Sequence, residues 1–293
     1  QWDQLSHAKD WLLFPENIGK RLSIDEVALS QGELYTVVTN KKAKGKAGSI
    51  VAIIEGTKEE KVSRVLLQMP YSTRKKVTEI TLDMAPNMKL IAKTCFKGAT
   101  QVIDRFHVQK LALEALQDVR IKYRWDAIDL ENEAILKAKN QGVDYKPEVL
   151  ITGDTRKQIL ARSRYLLYKS PEKWTIKQQI RARVLFKEYP EIEEAYKLAN
   201  ELRQFFNIKQ SKGVALAKLA QWYDKVEKSG FKSFASIMNT IKLNYDGIVN
   251  YFENRSTNAS AESFNAKIKA FRAQFRGVKN VEYFLFRLTR IFA

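Results

Sequence analysis

At Val108 the apolar periodicity of this chain changes for good, and that change limits the folds open to it. Upstream, short runs rich in β-branched and aliphatic residues recur at 22–27, 34–39, 49–54, 78–83 and 99–104, separated by turn residues. Strand side chains alternate with period two, so such runs bury one or both faces within a sheet. Two helical segments interrupt them. The first carries Thr57 and Glu60 in capping-box spacing, then Val62, Val65, Leu66 and Met69 before Pro70; the second begins near Pro86, a favoured first-turn position. Three successive strands followed by alternating helices and strands predict an α/β fold with a mixed five-stranded sheet. Downstream, Val108, Leu111, Ala112, Ala115, Leu116 and Val119 line one helical face, and helical spacing persists to about residue 250, with breaks at 140–147, 152–155 and 228–230. A stretch this long, with its own aliphatic and aromatic residues, is an inserted helical subdomain and not a connection. The expected organisation is a lead-in at 1–20, a first core segment at 21–110, a helical insertion at 111–250, and C-terminal core helices at 251–293.

Charge narrows the partner. The 51 Lys and Arg residues outweigh 33 Asp and Glu, leaving a formal +18, which points to a polyanion bound by counterion release, nucleic acid first and an anionic membrane second. No run of eighteen apolar residues is present and the opening residues lack a leader pattern, so an intracellular location is expected. The start at Gln1 fits a processed or trimmed chain. Cys95 falls on the apolar stripe Met88, Ile91, Ala92, Cys95 and reads as a buried structural thiol. One Cys and two His argue against a zinc site of ordinary ligand count.

Three carboxylates stand out within this frame. Asp25 lies in an apolar-alternating run, Asp83 closes the fourth run, and Glu262 opens a long amphipathic helix. If the first strand lies beside the fourth, Asp25 and Asp83 become neighbours, and the last helix can bring Glu262 to them. Converging carboxylates repel one another unless divalent cations hold them. Two Mg²⁺ ions roughly 3.5 to 4 Å apart would bind the attacking and leaving oxygens of an in-line displacement at phosphorus, and Mn²⁺ can substitute. Simpler roles stand beside these: Asp83 can cap the helix that follows it, and Glu262 can complement a helix dipole.

Cations frame the same region. Lys41, Lys42, Lys44 and Lys46 sit in the turn-rich link 40–48, which predicts a hairpin with a cationic tip. On the last helix, Lys269, Arg272 and Arg276 follow Glu262 and Asn265 at helical spacing, as a ridge over a phosphate backbone would, and Gly277 is placed to end that helix. The basic stretch 156–164 suits DNA contact and plain solvation equally. Trp125, Trp174 and Trp222 read as packing residues of the insertion.

The segments Ile24-Asp25-Glu26, Leu82-Asp83-Met84-Ala85-Pro86, Val102-Ile103-Asp104-Arg105-Phe106-His107-Val108 and the run from Ser256 to Lys269 resemble the transposases of the ISL-three group of bacterial insertion sequences. The resemblance spans nearly the whole chain. It implies a ribonuclease H-like fold with an all-helical insertion before the last catalytic helix, and Asp25, Asp83 and Glu262 as a DDE triad holding two Mg²⁺ ions. It also implies Asp104 and His107 as an auxiliary pair, with the His near the scissile phosphate. The implied activity is hydrolysis at transposon ends followed by strand transfer, in a bacterial, nucleoid-associated setting. A homodimer or larger assembly on DNA would coordinate two ends. Such proteins usually carry an N-terminal zinc-binding and helix-turn-helix region, so recognition of the ends is expected in a separate segment or chain. A structure-selective nuclease of the same fold and a domesticated DNA-binding protein are the alternatives.

Overall fold

The computed structural model describes residues 7–29, 32–274 and 280–293. Six strands form its sheet: β1 (Trp11–Leu13), β2 (Arg21–Ala28), β3 (Leu34–Asn40), β4 (Ile50–Glu55), β5 (Glu79–Leu82) and β6 (Thr100–Ile103). They lie in the order β1-β4-β3-β2-β5-β6. From β1 to β2 the pairing is antiparallel; β2, β5 and β6 run parallel. The sixth strand is the departure from the expected five. Trp11-Leu12-Leu13 is too short to show a period, and it forms because it pairs with the edge of β4, Leu12 opposite Ile53.

Contacts divide the chain into two compact units, residues 1–107 with 244–293, and residues 108–243. In the first, β3, β4 and β5 are buried along almost their whole length, as their apolar runs require. Helices α1 (Glu59–Leu66), α2 (Tyr71–Arg74) and α3 (Pro86–Cys95) follow β4 and β5. The start of α1 differs from expectation: Lys58 is its N-cap and no side chain caps it, so Thr57 and Glu60 do not close a capping box. In α3, Met88, Ile91, Ala92 and Cys95 are all buried, which accounts for the thiol. α11 (Tyr245–Asn254), within the stretch expected to be insertion, packs directly on β6 in this unit. α12 (Ala259–Gln274) and α13 (Val281–Phe292) cover the sheet, with Phe264, Ile268, Phe284 and Leu288 sharing one core with Val27, Val37 and Ile53. Each of these side chains stabilises the packing by about 1.5–3 kcal/mol.

α4 (Arg105–Asn140) begins in the first unit and continues into the second, which holds α5 (Arg156–Arg162), α6 (Arg164–Leu167), α7 (Ile176–Glu188), α8 (Pro190–Asn207), α9 (Lys212–Ser229) and α10 (Lys232–Lys242). The breaks expected from sequence fall where the chain turns: α5 starts at a capping box on Thr155, and Gly230 ends α9 in a left-handed conformation. Trp174 and Trp222 pack and donate their Nε1 protons to the carbonyls of Leu166 and Leu198. Trp125 departs from the packing expectation, being 57% exposed. The basic stretch at 156–164 is largely neutralised: Arg156 pairs with Glu148 and Glu188, Lys157 with Glu131, and Arg162 with Asp154. Among the described residues, no helix is long and apolar enough to cross a membrane.

Candidate active site

The parallel half of the sheet sets the site. Arg21, Leu22 and Ser23 of β2 stand opposite Glu79, Ile80 and Thr81 of β5, and Leu82 of β5 stands opposite Ile103 of β6. Carried two residues beyond the β2–β5 pairs, this register sets Asp25 level with Asp83; carried one residue beyond the β5–β6 pairs, it sets Asp83 level with Asp104. Ligands in open α/β sheets collect at this end of parallel strands. β2 alternates, so Ser23, Asp25 and Val27 share a face, and α12 lies over it. The oxygen of Asn258 accepts from Ser23 Oγ, Asn265 Nδ2 donates to Asp25 Oδ2 at 2.6 Å across 240 residues of sequence, and Phe264 and Ile268 share a core with Val27.

Glu262 occupies the first turn of α12, one turn before Asn265. One ligand atom each from Glu262, Asp104 and His107 lie within 4.8 Å of one another. His107 is held there by the start of α4, where its backbone N–H donates to Asp104 O at 3.2 Å. Asp104 is 1% exposed; its Oδ1 accepts from the Phe106 N–H at 3.4 Å, and its Oδ2 has no hydrogen-bond partner. Asp83 Oδ1 accepts from the Ala85 N–H at 2.9 Å, a turn contact ahead of α3 and not a helix cap, since Ala85 itself is the N-cap.

Burial first, and then the charges of Asp83 and Asp104, push the Asp25 carboxyl above its ordinary range, against the lowering effect of the Glu26 N–H and His107. Glu262 is raised likewise, by burial and then by Asp104 and Asp25. Glu26, exposed beside them, is raised by burial and by Asp83 and Asp25. Asp83 and Asp104 thus bear on Asp25, and Asp104 and Asp25 on Glu262. Desolvated carboxylates beside a buried carboxylate oxygen with no donor form a donor set suited to hard divalent cations.

The basic residues fall in different places from those the spacing implied. Arg272 is 4% exposed, pairs with Glu33 at 2.8 Å and lies over the Phe284 ring, so it is not part of an outward ridge. Asn265 and Arg272 turn toward the sheet and the 33–35 region, where they meet partners. Lys269 is exposed, and Arg276, with Gly277, lies outside the described residues. Lys41 is not at a free tip: a short 3-10 turn at Lys41–Ala43 folds it inward, where its Nζ donates to Thr81 Oγ1 at 2.6 Å and lies 3.9 Å from Glu79. Burial lowers its pKa, opposed by Glu79. Lys42, Lys44 and Lys46 are exposed. Gly45, in a left-handed conformation with φ of 72°, is buried where a Cβ would come within 3.5 Å of Phe264, so the link lies against α12. Sequence reasoning missed the Asn265–Asp25 and Asn258–Ser23 contacts; the available signal was that Asn258, Glu262 and Asn265 recur at helical spacing.

The sequence model for DDE transposases of the ISL-three type, described as Transposase, matches residues 22–288. The chain is also similar to the transposase for insertion sequence element IS1001 of Bordetella parapertussis, 23% identical over 273 residues, covering 92% of this chain. It spans about 60% of the length of that relative.

Proposed function

Because the chain belongs to the DDE transposase family of the ISL-three type, we propose that it performs the chemical steps of DNA transposition: cleavage at transposon ends and joining to target DNA. One observation carries the reading. Glu262 reaches the ends of the parallel strands, within 4.8 Å of Asp104 and His107, and feels the charge of Asp25. Asp25, Asp83 and Glu262 would hold two Mg²⁺ ions, or Mn²⁺ in their place, and the buried, donor-free Oδ2 suits Asp104 to join them. Such ions, when bound, neutralise developing charge on the phosphate and lower the pKa of water.

The side chains do the positioning. Asn265 orients Asp25, and the first turn of α4 sets His107 where it can bond a phosphate oxygen or protonate the leaving 3′ oxygen. In the first step a water oxygen bonds to phosphorus and the P–O3′ bond breaks, the freed oxygen taking a proton. In the second, that 3′ hydroxyl attacks a target phosphorus and displaces the target's 3′ oxygen, one phosphodiester replacing another. Lys42, Lys44, Lys46 and Lys269 are exposed for phosphate contact, and two DNA ends call for two or more copies of the chain.

The test is direct. Asp25→Asn and Glu262→Gln should each abolish Mn²⁺-dependent cleavage of a transposon-end duplex while leaving DNA affinity within a few-fold. Undiminished cutting by either variant defeats the assignment. Cutting by the parent protein without joined product in a strand-transfer assay identifies a nuclease instead.

A further inference from the structure

A cavity of about 1300 Å³ opens between the start of β2, the β3–β4 link and the residues leading into α12. Six of its lining residues are Lys20, Arg21, Lys42, Lys44, Lys76 and Arg255, and among the described residues no Asp or Glu lines it. Ser256, Thr257 and Ser260 add hydroxyl donors on the α12 side. It exceeds the roughly 300–1,000 Å³ of an ordinary small-molecule pocket, and its lining is cationic and hydroxylic instead of apolar.

Its lining gathers at the amino-terminal ends of β2 and β5. Lys41, also in the lining, bonds Thr81, which precedes Asp83 by two residues on β5, about 6.6 Å along a strand. Ser260 precedes Glu262 by two on α12. Asp25 and Asp83 stand toward the other ends of β2 and β5, four residues on from Arg21 and Glu79.

Several polar groups of the lining also have partners within the protein. Asn40 accepts from the Lys42 N–H, Asn254 donates to Glu79, Arg21 approaches Glu79 at 4.0 Å, and Arg255 lies over the Tyr251 ring. Among the described residues no aromatic side chain lines the cavity to stack a base. Lys20, Arg21, Lys42, Lys44 and Lys76 are exposed. Gly19 keeps the floor low, because a Cβ there would meet Asn40 Oδ1 at 2.5 Å.

We infer that this groove grips the phosphodiester backbone of nucleic acid, without regard to base sequence. The inference rests on the transposase reading for the identity of the polymer, and it adds Lys20, Arg21, Lys76 and Arg255 to the DNA-contacting surface.

The experiment is fluorescence anisotropy with the full chain in EDTA, using two 30-base-pair duplexes of unrelated sequence over 50–300 mM NaCl. Lys20→Ala/Lys76→Ala is compared with Lys93→Ala/Lys97→Ala, an equal loss of charge on exposed residues of the same unit outside the groove. The groove pair should lower the slope of log affinity against log salt by about two, equally for both duplexes, while the control pair changes it little. Equal slopes for the two double variants would overturn the proposal, as would a loss confined to one duplex. A loss of binding to phosphatidylserine vesicles with DNA affinity intact would assign the groove to lipid and overturn it too. Mn²⁺ titration by electron paramagnetic resonance separates the two readings: failure of the parent protein to bind Mn²⁺ counts against the catalytic assignment, whereas the salt slopes alone judge the groove.

Discussion

Asn265 commits one end of its amide to Asp25 and leaves the other, Oδ1, buried without a hydrogen-bond partner. An orienting partner of a metal-binding carboxylate typically contributes 10–100-fold in affinity or activity. Asn265→Ala is therefore expected to weaken Mn²⁺ binding by about that factor, read by electron paramagnetic resonance, with its melting temperature recorded alongside. Unchanged affinity would reduce Asn265 to a packing residue. At this scale strand alternation and a helix start marked out the positions of Asp25, Asp83 and Glu262 in the sequence. Arg272 was misread for a physical reason: helical spacing says which side chains share a face, and says nothing of which way the face turns. Glu33 and Phe284, far apart in sequence, settled that by pairing with it and stacking under it. The isolation of Asp104 Oδ2 was equally invisible, since burial depends on what the rest of the chain lays over it.

The elements that hold these residues are pinned by close approaches. α11 lies on β6 so tightly that a Cβ on Gly247 would stand 2.6 Å from Ile103 Cγ1, and Ile103 directly precedes Asp104. Gly247→Ala must push β6 or lift α11, at a cost of about 1–3 kcal/mol. The expected result is a lower melting temperature together with weaker Mn²⁺ binding, and Ile103→Ala in the same chain should restore part of both by vacating the space. A Gly247→Ala protein that melts and binds like the parent would show that this contact does not position Asp104. Strand and helix positions were readable wherever a run was long enough to show a period. β1 was not, with three residues, and the capping box at Thr57 was a local pattern that the helix, starting at Glu59, did not use.

For the whole molecule, the raised carboxyls tie stability to pH. Asp25 and Glu262 hold protons more tightly in the folded protein than at their ordinary values of 3.8 and 4.5, so ionising them opposes folding. Their contribution to stability is lost as pH rises from those ordinary values through the raised ones. Without metal, the parent protein should lose melting temperature relative to Asp25→Asn/Glu262→Gln as pH rises across that window, and saturating Mn²⁺ should recover it. Parallel melting curves for the two proteins would refute the coupling. Within one unit, 1–107 with 244–293, the same carboxylates thus link the fold to the ion it would hold. The order of strands and helices, the change of period at Val108, the cationic balance and the acidic motifs were determined by the sequence itself, because each is a local pattern or a sum over residues. The addition of β1 to the sheet, the inward turn of Lys41 and Arg272, the grip of Asn265 on Asp25 and the meeting of Glu262 with Asp104 and His107 were decided by tertiary structure. Those contacts join residues distant along the chain, and the packing of α12 and α11 on the sheet selects which side chains meet.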